Sequence, residues 1–298
     1  MGKDYLKVRI PATSANLGAG FDVFGIALGN PADIIEVEKS DKTIITVTGR
    51  DSRYVPTDPQ RNTAGIVASL LNKSVKIKIQ RGIPLSSGLG SSAAPAAGVA
   101  FALNEMFSLG LPREELVRIA AQGEKAASGT AHADNVAPAI YGGFVIVHKD
   151  TIIPLYPQNI GIVAVHPEII VSTRTARAIL PKELSLEDIS FNTGSAASMV
   201  VGMMKSDIRL IGRSMENRVI EEVRSKLIKG YGQVKKSAIE AGAAGVTISG
   251  SGSTMIAVCG MNERENIAKA MTQAFLENHI RSEAFITTIG NGVKIIEG

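Results

Sequence analysis

Tryptophan is absent from this 298-residue chain, and Cys259 is its only cysteine. A single cysteine cannot close a disulfide within the chain, which points to a reducing compartment. Cys259 ends the apolar run M-I-A-V-C, where a small buried residue is expected rather than a reactive thiol. Aromatic residues make up only 4%, so a stacking platform for single-stranded nucleic acid is poorly supplied. The net charge is +4, but the basic residues are scattered and no block of like charge marks a nucleic-acid or membrane partner. No apolar run reaches the length of a membrane helix. The start, M-G-K-D-Y-L-K-V-R-I, lacks the apolar core of a signal peptide, and Leu6 stands where a myristoylation pattern needs Ser or Thr. These absences lead to the expectation of a soluble, cytoplasmic protein with neither nucleic acid nor membrane as partner.

What is present suits an enzyme-sized globular chain. Hydrophobic residues at 45% and charged residues at 20% carry no disorder signature, and the length can bury a sizeable core. The first part reads as strands: K-V-R-I, I-I-E-V-E, T-I-I-T-V-T and V-K-I-K-I-Q. In the last, Val75, Ile77 and Ile79 share one face, the period of a half-buried strand in an antiparallel or mixed sheet. A short helix is expected from Asn62 to Asn72. A second starts near Ser92, with Pro95 in its first turn where a missing N–H is harmless. A third follows Pro112, with Leu116, Ile119, Ala120 and Ala127 on one stripe. G-G-F-V-I-V then returns as a strand. After about residue 155 the order restarts as strand, several helices from Thr173 to Ala241, two strands, helix and strand. That β-α-β-β-α-β order predicts a ferredoxin-like second half with an enlarged first crossover. The expected fold class is therefore α+β in two lobes, 1–155 and 156–298. Asn291-Gly292 reads as a late tight turn.

The segment P-L-S-S-G-L-G-S-S-A-A, Pro84 to Ala94, carries the most chemistry. It lies between a strand and a helix. Glycine lets backbone approach a ligand closely, and the first amides of a helix, free of internal partners, favour phosphate oxygens. An ordinary cap by Ser91 or Ser92 competes with this reading, but capping does not account for four serines and two glycines within seven residues. G-L-G-S-S-A formally fits a dinucleotide fingerprint, yet seven residues separate it from the strand end at Gln80. A Walker A motif is absent. A phosphate loop of another type remains.

This loop resembles the ATP-binding motif of the GHMP kinases, the family of galactokinases, homoserine kinases, mevalonate kinases and phosphomevalonate kinases. Two further segments are similar to family motifs and stand in family order. P-A-T-S-A-N-L-G-A-G-F-D, Pro11 to Asp22, resembles the first motif in the form that homoserine kinases carry. G-V-T-I-S-G-S-G-S, Gly245 to Ser253, resembles the third. H-A-D-N-V-A-P-A-I-Y-G-G, His132 to Gly143, also resembles homoserine kinases.

The resemblance implies a two-lobed fold. Its N-terminal lobe would be of a type also found in a ribosomal small-subunit protein, and its C-terminal lobe ferredoxin-like. It implies transfer of the γ-phosphate of ATP to the hydroxyl of homoserine, feeding threonine synthesis. ATP would rest on Pro84, Leu85, Ser86, Ser87, Gly88, Leu89, Gly90, Ser91, Ser92, Ala93 and Ala94, with Asn62 near the adenine. Mg²⁺ would be held by Ser92 and Glu124. Periodicity adds modest support for Glu124, which lies about 60° from the centre of the apolar stripe of its helix at roughly 100° per residue, whereas Lys125 points away. Homoserine is a zwitterion. By the resemblance Asn16, Asp22 and Asp134 would meet its ammonium group, Arg177 and Arg224 its carboxylate, with His132 nearby. Guanidinium suits a carboxylate because it binds in a fork. Asn135 and Thr173 would hold the reacting hydroxyl, whose proton would pass to phosphate. In mevalonate kinase-like members an Asp near position 134 takes that proton, so Asp134 as base stays open. Without the family, Asn16 reads as a turn residue, Asp22 as surface, the two arginines as solvated helix faces and His132 as structural. Other small alcohols such as mevalonate or shikimate, and a non-catalytic sensor on the same fold, are the rival functions. A homodimer is compatible with the family, though no interface is legible.

Overall fold

Alternating burial builds the first sheet. The computed structural model describes residues 4–129 and 131–298. Strands β1 (Tyr5–Ala15), β2 (Phe24–Lys39), β3 (Ile44–Gly49) and β4 (Val75–Arg81) contain the segments expected as strands. In β4 Val75, Ile77 and Ile79 are buried while Lys76 and Lys78 are exposed. β2 pairs antiparallel with β1 and β4, and β3 runs parallel to β4, so the sheet is mixed. Lys76 and Lys78 meet Glu38 and Glu36 on β2 at 3.3 and 3.6 Å, pairs on the sheet surface that add little stability.

Helices α1 (Thr63–Leu70), α2 (Ala93–Met106), α3 (Arg113–Ser128) and α4 (Ala133–Tyr141) cover this sheet. α2 and α4 lie against β1 and β2, and α1 and α3 lie against α2. α2 is buried almost all round, which its run of alanines permits. The stripe of α3 is buried at Leu116, Ile119 and Ala120; the Ala127 side chain lies outside the described residues. Strands β5 (Phe144–His148) and β6 (Thr151–Leu155) form a hairpin whose first strand pairs with β2.

α4 is a helix that the sequence pattern does not announce, because Pro138 sits inside it. Proline removes the bond to the carbonyl four residues back and crowds it. That carbonyl belongs to Asp134, and it lies so close to β2 that a Cβ on Gly25 would stand 1.9 Å from it. Tertiary packing thus outweighs the local signal against a helix.

The second half contains β7 (Gly161–Pro167), α5 (Thr173–Ala178), α6 (Leu186–Lys205), α7 (Ile208–Arg213), α8 (Ile220–Ser225), α9 (Tyr231–Glu240), β8 (Gly245–Ile248), β9 (Met255–Cys259), α10 (Arg264–Glu277) and β10 (Ser282–Thr288). Its sheet is antiparallel in the order β10-β7-β9-β8. Numbered within this half, that is fourth, first, third, second, the ferredoxin-like arrangement with α5 to α9 filling the first crossover. Val163, Val165, Met255, Ala257 and Cys259 face a core with α9 and α10. Ile162, Ala164, Ile256 and Val258 face the other way and join the core of the first half. Burial on both faces explains why G-I-V-A-V-H shows no polar alternation. Burial also pushes the Cys259 thiol up to about 11, which keeps it a packing residue at neutral pH.

Two expectations change here. The sheets and cores do not divide cleanly at residue 155. Strand β11 (Lys294–Glu297) returns from the far end of the chain to pair with β1, and one apolar core spans both halves. Asn291-Gly292 is not a tight turn, because the strands it joins belong to different sheets. Asn291 instead bridges Gly142. A Cβ on Gly292 would stand 2.3 Å from the Ile140 carbonyl, so close approach to α4 is what requires glycine there.

Candidate active site

The loop between β4 and α2 is folded by its own side chains. The Ser87 hydroxyl donates to the Pro84 carbonyl at 2.8 Å and accepts the Leu89 N–H at 3.2 Å. The Leu85 N–H donates to Asp51 at 3.1 Å. The Thr13 N–H on β1 holds the Leu89 carbonyl, and the Ser249 hydroxyl holds the Gly88 carbonyl at 2.7 Å. The three motif segments therefore meet at one place. Of the amides between Leu85 and Ala93, those of Leu85 and Leu89 are taken up in shaping the loop.

Ser86, Gly88, Gly90, Ser91 and Ser92 line the cleft above the start of α2. Pro84, Leu85, Ser87, Leu89, Ala93 and Ala94 lie outside its lining. Ser92 stands at the N-cap position, yet its side chain makes no cap bond. It donates instead to Glu124 Oε1 at 2.6 Å. The ordinary-cap reading fails for this residue. In the first turn of α2 the Ala94 N–H is spent on the Gly90 carbonyl at 3.0 Å and Pro95 has no N–H, so an anion there would gain mainly from the helix dipole and from the amides just before the helix.

Gly88 has φ +81°, and a Cβ on it would stand 2.2 Å from the Ser249 carbonyl oxygen. Gly88→Ala is therefore expected to pry the loop off the third motif, at a strain of roughly 2 kcal/mol. Melting curves with and without ATP check this: the variant melts lower and loses most of the ATP-dependent shift. An unchanged ATP shift would contradict the placement of the phosphates.

Glu124, on α3, is buried at the cleft floor with 1% exposure. Burial raises its carboxyl to about 8. The Ser92 hydroxyl and the His132 backbone N–H pull the other way, and the Asp134 carboxylate adds to the rise. His132 Nδ1 lies 3.9 Å from Glu124 Oε2. Burial and the nearby Arg177 charge lower its pKa, which favours a neutral imidazole. No cluster of three or more acidic, His or Cys ligands exists among the described residues. One carboxylate beside one hydroxyl still fits Mg²⁺, which takes few protein oxygens and completes its shell with phosphate and water. A divalent cation would also offset the cost of ionising a carboxylate buried this deeply.

The other wall can read a zwitterion. Asn16 and Asp22 both hold left-handed backbone, φ +60° and +56°, and the Asn16 side-chain oxygen accepts the Asp22 N–H at 2.8 Å. Asn16 is thus a turn residue and a cleft residue at once. The Asp22 carboxylate accepts a fork from Arg177 at 3.0 and 3.1 Å. The guanidinium carbons of Arg177 and Arg224 lie 5.4 and 5.2 Å from the Phe21 ring centre. Arg224 is 3% exposed and donates to the carbonyls of Ala176 and Gly250 at 3.2 and 2.9 Å. Burial first, then the Arg177 charge, lowers it to about 10. So neither arginine is a solvated helix face. Asn135 lines the cleft and accepts from the Thr13 hydroxyl at 2.9 Å. Thr173, at the start of α5, lines it too and lies 3.4 Å from Ser251.

Two expected site residues lie outside the cleft lining. Asn62 lies away from the cleft lining: it is buried, caps α1 through Ala64 N–H at 3.0 Å and donates to Pro56 O at 2.7 Å. Asp134 lies in the first turn of α4 with 4% exposure, behind the cleft lining. Burial, then the Asp22 charge, raises it to about 7, against the pull of Arg177. Phe21, Val171, Gly250 and Ser251 are site residues that sequence reasoning did not single out. Phe21, Gly250 and Ser251 do sit inside the first and third motif segments, and that position was the available signal.

Comparison with known proteins agrees with this geometry. Residues 61–143 match the GHMP kinases N terminal domain, and residues 199–278 match GHMP kinases C terminal. The chain is 52% identical over 293 residues to a homoserine kinase of Methanocella arvoryzae, covering 98% of each. It is 50% identical over 290 residues to one of Natronomonas pharaonis, covering 97% of this chain and 99% of the other. The crystal structure of homoserine kinase from Cytophaga hutchinsonii superimposes with a TM-score of 0.92 at 38% identity, over 99% of this chain and 98% of that one.

Proposed function

Because this chain belongs to the GHMP kinases, we propose that it transfers the γ-phosphate of ATP to the side-chain hydroxyl of L-homoserine, giving O-phospho-L-homoserine. The single observation that carries the substrate is the Asp22–Arg177 fork beside Arg224, all braced on Phe21 at the mouth of the phosphate loop. A site with a carboxylate and two guanidiniums side by side suits a ligand with both an ammonium group and a carboxylate. Mevalonate and shikimate lack the ammonium group, so the acid in this site would have no partner on them.

In this reading the cleft-facing amides of the loop, up to the start of α2, receive the phosphates. Ser92 and Glu124 would hold Mg²⁺, which supplies charge neutralisation for the transferring group. Asn135 already uses its amide oxygen on Thr13, so its amide nitrogen is left to orient the homoserine hydroxyl, with Thr173 opposite. An amide cannot accept the hydroxyl proton. The loose transition state of phosphoryl transfer demands little from a base, so the proton passes to the phosphate.

Asp134 acts on the ammonium group through its charge rather than as a base. Its burial behind the cleft lining supports that role. Asp134→Asn is expected to raise KM for homoserine roughly tenfold while kcat stays within a few-fold. Steady-state kinetics decide it, and a collapse of kcat at saturating homoserine would make Asp134 the base. The function itself is tested by ADP release across homoserine, mevalonate and shikimate, with and without Mg²⁺. Turnover with homoserine alone, dependent on Mg²⁺, is the expected result. Binding without turnover would favour a sensor.

A further inference from the structure

Behind the phosphate loop, outside the cleft lining, lies a buried ion pair. Arg81 ends β4 with its side chain 2% exposed, and Asp33 on β2 is 0% exposed, 3.3 Å away. Burial pulls the Arg81 pKa down and pushes that of Asp33 up, each against the attraction of the other. Such a pair is costly to bury, and an apolar pair of similar volume often stabilises a core as well. Stability alone therefore does not account for it. What the pair holds is specific. Arg81 Nη1 donates to the Ser91 carbonyl at 2.8 Å, and Nη2 donates to the Ile83 carbonyl at 3.0 Å. Asp33 Oδ1 accepts the Gly82 and Ile83 N–H groups at 2.8 and 2.9 Å. Gly82 and Ile83 lead from β4 into the loop, and Ser91 stands near its exit into α2. The guanidinium fork thus spans the loop from entry to exit.

The bond to Ser91 also sets a direction. In a trans peptide the carbonyl and the following N–H point opposite ways. The Ser91 carbonyl is turned inward to Arg81, so the Ser92 N–H is turned outward, to the cleft that Ser91 and Ser92 line. The Thr63 hydroxyl on α1 donates to the Ser92 carbonyl at 3.2 Å and fixes the next peptide unit. A cation bonded to a carbonyl oxygen draws electrons from the shared peptide unit and makes its N–H a stronger donor. A phosphate oxygen gains from both effects, the fixed direction and the stronger donor. Adenosine and homoserine carry no phosphate and gain from neither.

We propose that Arg81, seated by Asp33, is a positioning residue for ATP: it locks both ends of the phosphate loop and aims the Ser92 N–H at a phosphate oxygen. This rests on the reading of the loop as the nucleotide site. Steady-state kinetics with ATP and homoserine varied in turn, and with adenosine as inhibitor, test it. Arg81→Met alone would strand the Asp33 charge in the core, so Asp33→Asn is combined with it. The asparagine oxygen still accepts from Gly82 and Ile83, and no buried charge remains. This double variant melts cooperatively, within about 5 °C of the wild type. Its KM for ATP rises roughly 30-fold, while KM for homoserine and the adenosine Ki stay within about threefold. Arg81→Lys keeps the charge beside Asp33 but has no fork to reach both carbonyls, and its KM for ATP rises by an intermediate factor of roughly five. A KM for ATP that neither variant moves overturns the proposal. So does a rise shared equally by homoserine and adenosine, the mark of a loosened fold. A wild type that turns over no ATP would sink the nucleotide reading itself and this inference with it, a result seen before any variant is made.

Discussion

Replacing Glu124 with glutamine is expected to slow turnover roughly 10³-fold and, in the same protein without ligand, to raise the melting temperature at pH 8. The two effects share one cause. Burial holds the carboxyl at about 8 in the metal-free cleft, above its ordinary 4.5. Below that ordinary value both the folded and unfolded chains carry the proton, so nothing is lost. As pH rises from about 4.5 to about 8 the unfolded chain gives up the proton freely while the fold resists. The contribution of Glu124 to stability therefore falls across that window and is lowest above it. Glutamine has the shape of the protonated acid and does not titrate. The melting temperature of Glu124→Gln should match the wild type near pH 4.5 and exceed it increasingly toward pH 8.

Activity moves the other way. Glutamine cannot supply the negative oxygen that the cation needs, nor accept the Ser92 hydroxyl as a charged partner. Several kcal/mol of transition-state stabilisation by a metal is a typical contribution, and about 4 kcal/mol corresponds to the expected 10³-fold. Thermal melts in Mg²⁺-free buffer across pH, paired with kcat at saturating Mg²⁺ and ATP, check both halves. A structural Glu124 would give a variant that melts lower at every pH, and a dispensable one would turn over within tenfold of wild type.

The second large effect is at Arg224. Arg224→Ala should raise KM for homoserine roughly 100-fold and lower the melting temperature by about 6 °C, from a loss of about 3 kcal/mol. Two buried carbonyls, of Ala176 and Gly250, lose their donor together. These tie α5 and the third-motif loop to α8, so substrate recognition and the fit of the cleft walls fail at once. Arg177 provides the control. Its pair with Asp22 is 40% and 44% exposed, and an exposed pair adds little to stability. Arg177→Ala should raise KM by a similar factor while the melting temperature moves by no more than about 2 °C. If both variants melted like the wild type, the bridging role of Arg224 would be wrong. If neither changed KM, the carboxylate lies elsewhere.

Much of this was legible in the residues because local rules act over short distances. The alternation of β4 and the start of α2 after the loop need only neighbours along the chain. The buried lean of Glu124 follows from helical period alone. α4 was not legible, since Pro138 speaks against a helix and only contact with β2 overrides it. The loop amides looked alike in sequence. Which of them are free depends on Asp51 and on the Ser87 side chain, and Asp51 lies more than thirty residues away. Asn62 had a family position but, once folded, uses both ends of its amide to close α1.

The strands of the first sheet, the β-α-β-β-α-β order of the second half and the three glycine-rich segments were settled by the chain itself, because period and backbone freedom are properties of consecutive residues. The tertiary structure alone decided which polar groups face each other. Arg177 and Asp22 are 155 residues apart, and Ser92 and Glu124 are 32 apart. Coulomb attraction makes the first pair and a hydrogen bond the second, while desolvation and the Asp134 charge raise the Glu124 carboxyl; these forces are set by distance in space and by excluded water rather than by order along the backbone.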